Sequence, residues 1–182
     1  YFGEWRRSKG GAALARPPKA KRGKRAAEPP PAPAGVYEEK KANDAIINAA
    51  VFRAGLKDWA RAEAASLAYL SAWPDGADAS RLFLGLADVY SRQGQVAREL
   101  KQLEDYQRKF AKDPDEWLAI QHRIALLLTK AGNARDARRA YELARDYYKP
   151  RKDKVKDRGL APVAHALYLD LEPAFAEYDR IN

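Results

Sequence analysis

Between Asp115 and Pro150 the apolar positions repeat with the period of a helix. Leu118, Ile120, Ile124, Leu127 and Leu128 recur mostly three and four residues apart, and beyond Gly132–Asn133 the small or aromatic Ala137, Ala140, Tyr141 and Ala144 share a second face. The spacing predicts two antiparallel helices. The first ends at a glycine that accepts positive φ, and the second is closed by Pro150, which cannot continue a helix. Ala125 and Ala137 are small on facing sides, which lets the two backbones approach closely.

The same pattern occurs twice more. Phe83, Leu86, Ala87, Tyr90, Gly94 and Val96 overlay on Gln121, Ile124, Ala125, Leu128, Gly132 and Ala134. An earlier unit carries Ala49, Phe52, Gly55, Trp59 and Ala62, and ends at Pro74 as the other two end at Pro114 and Pro150. Its first helix takes Ile46, Ile47, Ala49, Ala50 and Phe52 as its apolar face, with Asn43 or Asp44 as its cap unless the helix already includes Glu38–Lys41. The partner helix takes Trp59, Ala62, Ala65, Leu67, Tyr69, Leu70 and Trp73. In the second unit Leu82, Phe83, Leu86 and Tyr90 face Leu100, Leu103, Tyr106 and Phe110. The expected organisation is therefore all-α: stacked antiparallel helix hairpins at 36–74, 75–114 and 115–150, with no strand. Residues 151–182 read as a charged connector followed by a truncated further repeat. There Pro162 falls in the first helical turn, Pro173 kinks or splits the helix, and Leu167, Leu171 and Phe175 are left needing cover.

These residues resemble the tetratricopeptide repeats. The Leu-Ala, Tyr, Gly, Val series of the second unit and the Ile-Ala, Gly, Ala-Arg-Asp-Ala, Tyr, Ala, Pro series of the third are similar to the family's signature of small, aromatic and proline positions. The period is longer than the family's, which is about 34 residues. Glu99 stands where the second helix normally has alanine, and Leu56–Asp58 stretches the first turn. The resemblance covers Lys41–Pro150. It implies a concave wall built from the first helices that binds peptide or helix segments of other proteins. Carried over by position, the groove residues are Ile46, Ala50 and Arg53, then Arg81, Leu84, Asp88 and Arg92, then Ala119, His122, Leu126 and Lys130. The lysine–asparagine carboxylate clamp of chaperone-cofactor members is not matched. The long period and the closing run from Leu167 to Tyr178 also resemble large repeat proteins of myxobacterial gliding-motility complexes, a resemblance that implies the cell envelope or periplasm, with the cytoplasm as the alternative.

Composition changes the picture at the N-terminus. Residues 1–35 hold six of the 11 prolines and nine lysines and arginines against Glu4 and Glu28, so this segment carries +7 of the net +9. It reads as a disordered basic linker. Its run Lys19, Lys21, Arg22, Lys24 and Arg25 suits an anionic partner, nucleic acid or an anionic surface. Tyr1, Phe2 and Trp5 are unusual aromatics for a linker. With no methionine and a Tyr1 start, the chain reads as an internal piece of a longer protein. Cysteine is absent, which excludes disulfides, thiolate metal sites and a cysteine nucleophile. His122 and His165 make no i, i+4 metal pair and read as surface or groove residues, and no phosphate-binding loop is present. The alternating charges, as at Glu99–Lys101, Glu104–Arg108 and Asp136–Arg139, are those of solvated helix faces. The function expected is a non-catalytic protein-interaction scaffold, with no cofactor and no metal.

Overall fold

The computed structural model describes Gly3 and residues 38–181, and among these there is no strand. The basic run Lys19–Arg25 and the Tyr1, Phe2 and Trp5 start lie outside the described residues. Helices α1 (Glu39–Gly55), α2 (Trp59–Ala72), α3 (Ala79–Arg92), α4 (Val96–Lys109), α5 (Pro114–Lys130), α6 (Ala134–Tyr148) and α7 (Asp157–Ile181) follow in order, with a 3₁₀ turn at Lys149–Lys154 between the last two. The charged connector is thus largely this 3₁₀ turn. The chain divides into two compact units, one up to Leu82 and one from Phe83, so that the boundary runs through α3.

In the first unit α1 packs on α2 through Ile46, Ile47 and Ala50 on one side and Ala62, Ala65 and Tyr69 on the other, all buried. Tyr69 is fully buried, and its hydroxyl accepts from Asn43 Nδ2 (3.4 Å) and from the amide of Asp78 (3.3 Å). Asn43 is therefore an interior contact and not a cap: α1 starts earlier, after Glu38, which makes no side-chain cap bond. Two expected core residues are exposed, Phe52 at 68% and Leu67 at 46%. Each lies two residues from a buried position, Ala50 and Ala65, and two residues are about 200° of helical rotation, which is the opposite face. Gly55 ends α1, and the left-handed residue of the stretched turn is Lys57, with φ 58°.

The second unit is centred on α5, which packs against α4, α6 and α7. Asp113 caps it by accepting from the amides of Asp115 (3.1 Å) and Glu116 (3.2 Å), and Pro114 occupies the first turn, where its missing N–H costs nothing. Gly94 and Gly132 have φ of 67° and 76°, the left-handed conformation that ends a helix most cheaply in glycine. The core of this unit joins Leu103 and Tyr106 of α4, Ile120, Ile124, Ala125 and Leu128 of α5, and Ala137, Ala140 and Tyr141 of α6. Phe83, Tyr106 and Phe110 form an aromatic cluster with centroids 5.3 to 6.5 Å apart, and Trp117 stacks on Tyr147 at 3.8 Å. The Tyr106 hydroxyl donates to Glu116 (2.5 Å). Burial first, and then that carboxylate, push the phenol up to about 12.

Helix α7 begins five residues before Pro162, so this proline lies beyond the first turn, and the helix continues unsplit past Pro173. Its start is held from α5: Asp115 Oδ1 accepts from the amides of Lys156 (2.8 Å) and Gly159 (3.0 Å). A side chain at 159 would have no room. Its Cβ would lie 2.7 Å from Asp115 Oδ1 and 2.9 Å from Leu118 Cδ1.

Ala125 and Ala137 are exposed by 0% and 4% in one core cluster, as the small positions of closely packed helices require. Replacing Ala137 by Leu inserts methylenes into a full interior and is expected to cost about 1–3 kcal/mol in urea unfolding. A variant as stable as the parent would place Ala137 outside the α5–α6 contact.

Candidate functional site

The groove positions divide between the two units. In the first, Ile46 and Ala50 are buried in the α1–α2 contact and offer no surface. Arg53 pairs with Asp58 (3.2 Å) at the end of α1, and Arg81 with Asp78 (2.7 Å) at the start of α3. In the second unit Asp88, Arg92, Leu126 and Lys130 are exposed, whereas Leu84 is half-buried against the core.

Arg123, not singled out from the sequence, organises this region. Its Nη1 meets Asp88 of α3 at 2.8 Å and its Nη2 meets Glu99 of α4 at 2.8 Å. The Glu99 side chain is 6% exposed. It is the departure that the repeat pattern marked, and it belongs to the interior and not to a solvated face. A carboxylate removed from water to this degree requires a cation with hydrogen bonds. The signal in the sequence was Glu99 itself: an acid at an alanine position demands a basic partner on a neighbouring helix. Around this triad Ser91, Glu99, Arg123, Leu126, Leu127 and Lys130 line a cleft of about 300 Å³.

His122 points away from that cleft. Its ring lies 6.0 Å from Tyr141 of α6 and 5.9 Å from His165 of α7, and His165 stacks on Tyr141 at 4.4 Å with rings within 5° of parallel. The two histidines, distant in sequence, are thus neighbours. Burial, with His165 as a second cause, holds His122 below the usual histidine range, and its Nε2 is buried without a hydrogen-bond partner among the described residues. Burial pushes the Tyr141 phenol up. Thr129 opposes that shift, but its hydroxyl is committed to the Ala125 carbonyl (2.9 Å), and the Tyr141 oxygen has no partner of good geometry. No cluster of three metal-ligating side chains occurs among the described residues, and none of their helices is long and apolar enough to cross a membrane.

The chain matches no family model and no curated protein. The exposed Leu126 shares the cleft with the exposed Lys130, and Arg123 offsets one of the two carboxylates it meets, the buried Glu99, while Asp88 stays largely exposed.

The triad also sets a stability test. Arg123→Ala leaves Glu99 buried without its cation. A fully buried pair broken this way costs roughly 3–5 kcal/mol, and because the Arg123 side chain is 31% exposed the expected loss is about 1–3 kcal/mol. Adding Glu99→Ala should recover most of that loss. Additive losses in a urea double-mutant cycle would show that the two groups are not coupled.

Proposed function

We propose that the chain is a non-catalytic interaction scaffold of the tetratricopeptide kind, built from the hairpins α1–α2, α3–α4 and α5–α6 with α7 opening a further repeat. It holds an apolar, acidic segment of another protein against the wall carrying Asp88, Arg92, Leu126 and Lys130. The observation that carries the reading is the exposed Leu126 sharing a cleft of about 300 Å³ with the exposed Lys130. The helix lengths support it: 17 residues then 14 in the first hairpin, 14 and 14 in the second, 17 and 15 in the third. So do the left-handed glycines at the same place in the second and third hairpins.

A second reading rests on the +7 carried by residues 1–35: a nucleic acid or anionic surface held through charge alone. Salt separates the two, because binding to phosphates releases counterions and weakens steeply with ionic strength.

The test is selection of peptides from a displayed random library on the whole chain, followed by titration of the enriched peptide. The expected consensus pairs an apolar anchor with Asp or Glu. Lys130→Ala and Leu126→Glu should each weaken binding by roughly tenfold, with thermal unfolding unchanged. Peptides that bind these variants as tightly as the parent, or that are lost on removing residues 1–35, would contradict the groove reading.

A further inference from the structure

Helix α7 buries one face and leaves a different one open. Val163 and Ala166 are buried at 3% exposure, Val163 packing with Leu118 and Ala144 and Ala166 with the core of α4, α5 and α6. Leu160, Leu167, Leu171, Phe175, Tyr178 and Ile181 are exposed by 43–73%. Half of the exposed large hydrophobic residues among the described residues fall on this one helix. Their order is not random. Leu160, Ala164, Leu167, Leu171, Ala174, Tyr178 and Ile181 follow one another at spacings of four, three, four, three, four and three. That is an unbroken heptad seam, the pattern that packs one helix along another and not the broader stripe of a helix lying on a core.

The seam has an internal symmetry that specifies its occupant. Reflected about Leu169, Leu160 falls on Tyr178, Ala164 on Ala174 and Leu167 on Leu171. In an antiparallel copy of the same helix the large residues at 167 and 171 and at 160 and 178 therefore fall opposite one another, with alanine positions between, and Ile181 extends beyond the matched stretch. The charges fit the same orientation. The approach to α7 carries the exposed Lys152, Lys154, Lys156 and Arg158 against the exposed Asp153, and its far half the exposed Glu172, Glu177 and Asp179 against the exposed Arg180, which pairs with Glu177 (2.7 Å). A parallel pair sets like charge against like. An antiparallel pair sets the basic approach of each helix beside the net acidic end of the other, with Arg158 on Arg180 as a like-charge position, and also opposes the two helix dipoles. A self-complementary patch of this kind closes with a two-fold axis.

We propose that α7 is a homodimerisation helix, joining two copies of this chain as an antiparallel pair through the Leu160–Ile181 seam. The surface is separate from the wall around Leu126, so the proposal stands independently of the groove reading.

Sedimentation velocity of the whole chain tests it. A reversible monomer–dimer equilibrium in the micromolar range is expected, weakened at least roughly tenfold by Leu167→Glu with Leu171→Glu. Both residues are exposed, so the circular-dichroism spectrum should be unchanged, and Lys130→Ala should leave the dimer intact. Orientation is read by cross-linking, since the chain has no cysteine of its own. Leu160→Cys together with Tyr178→Cys should give a disulfide-linked dimer under a mild oxidant, and Leu160→Cys alone should not. A chain that stays monomeric at every concentration, or a dimer indifferent to the two glutamates, would overturn the proposal. Efficient linkage through Leu160→Cys alone would do the same, because it requires a parallel pair.

Discussion

The second unit depends on polar side chains of α5 that each neighbouring helix has to meet. Gln121 is 3% exposed. Its oxygen accepts from Gln107 of α4 (3.0 Å) and its nitrogen donates to the Ala140 carbonyl of α6 (2.9 Å). Arg123 reaches α3 and α4, and Asp115 holds the start of α7. Apolar contacts between helices tolerate sliding because they are nondirectional. A buried amide or carboxylate does not, since it loses its partner and its water together. These few bonds therefore set where along α5 each neighbour stops, and the alanines at 125, 137, 140 and 144 let the helices come close enough to form them.

The same economy determines what is left on the surface. The buried acid of the α3–α5 wall, Glu99, is answered by Arg123, while Asp88, Arg92 and Lys130 stay exposed. The aromatic ring set of His122, Tyr141 and His165 closes the α5, α6 and α7 junction with two buried polar atoms unanswered among the described residues. Helix α7 is fastened at its start by Asp115 and along Val163 and Ala166, and has little beyond these to bury its other apolar side. Firm anchoring on one face and an open heptad on the next are what an element shared between two surfaces looks like.

Much of this was legible in the sequence. The helix pairs, the turn glycines at 94 and 132, and the small pair Ala125 and Ala137 follow from period and punctuation, which act locally. Phe52 and Leu67 are exposed because each lies about 200° of helical rotation from a buried alanine, Ala50 or Ala65, and an unbroken run of apolar residues does not mark which of its members faces the core. The capping of α7 by Asp115, 41 and 44 residues away in sequence, and the meeting of His122 with His165 depend on how hairpins pack, which no local pattern carries. Glu99 lies between these cases. Its misfit to the repeat was visible, but which basic residue would answer it was fixed only by the packing of α4 on α5.

Native-state hydrogen exchange across Phe83–Ile181 tests most directly whether α5 is the centre of its unit. The amides of Ile120–Leu128 should exchange most slowly, at the rate set by global unfolding, with protection falling through α6 and lowest in α7 beyond Leu171. If α5 exchanged as fast as the end of α7 while α6 stayed protected, the helices would be held by some other set of contacts and the account of α5 as their common anchor would fail.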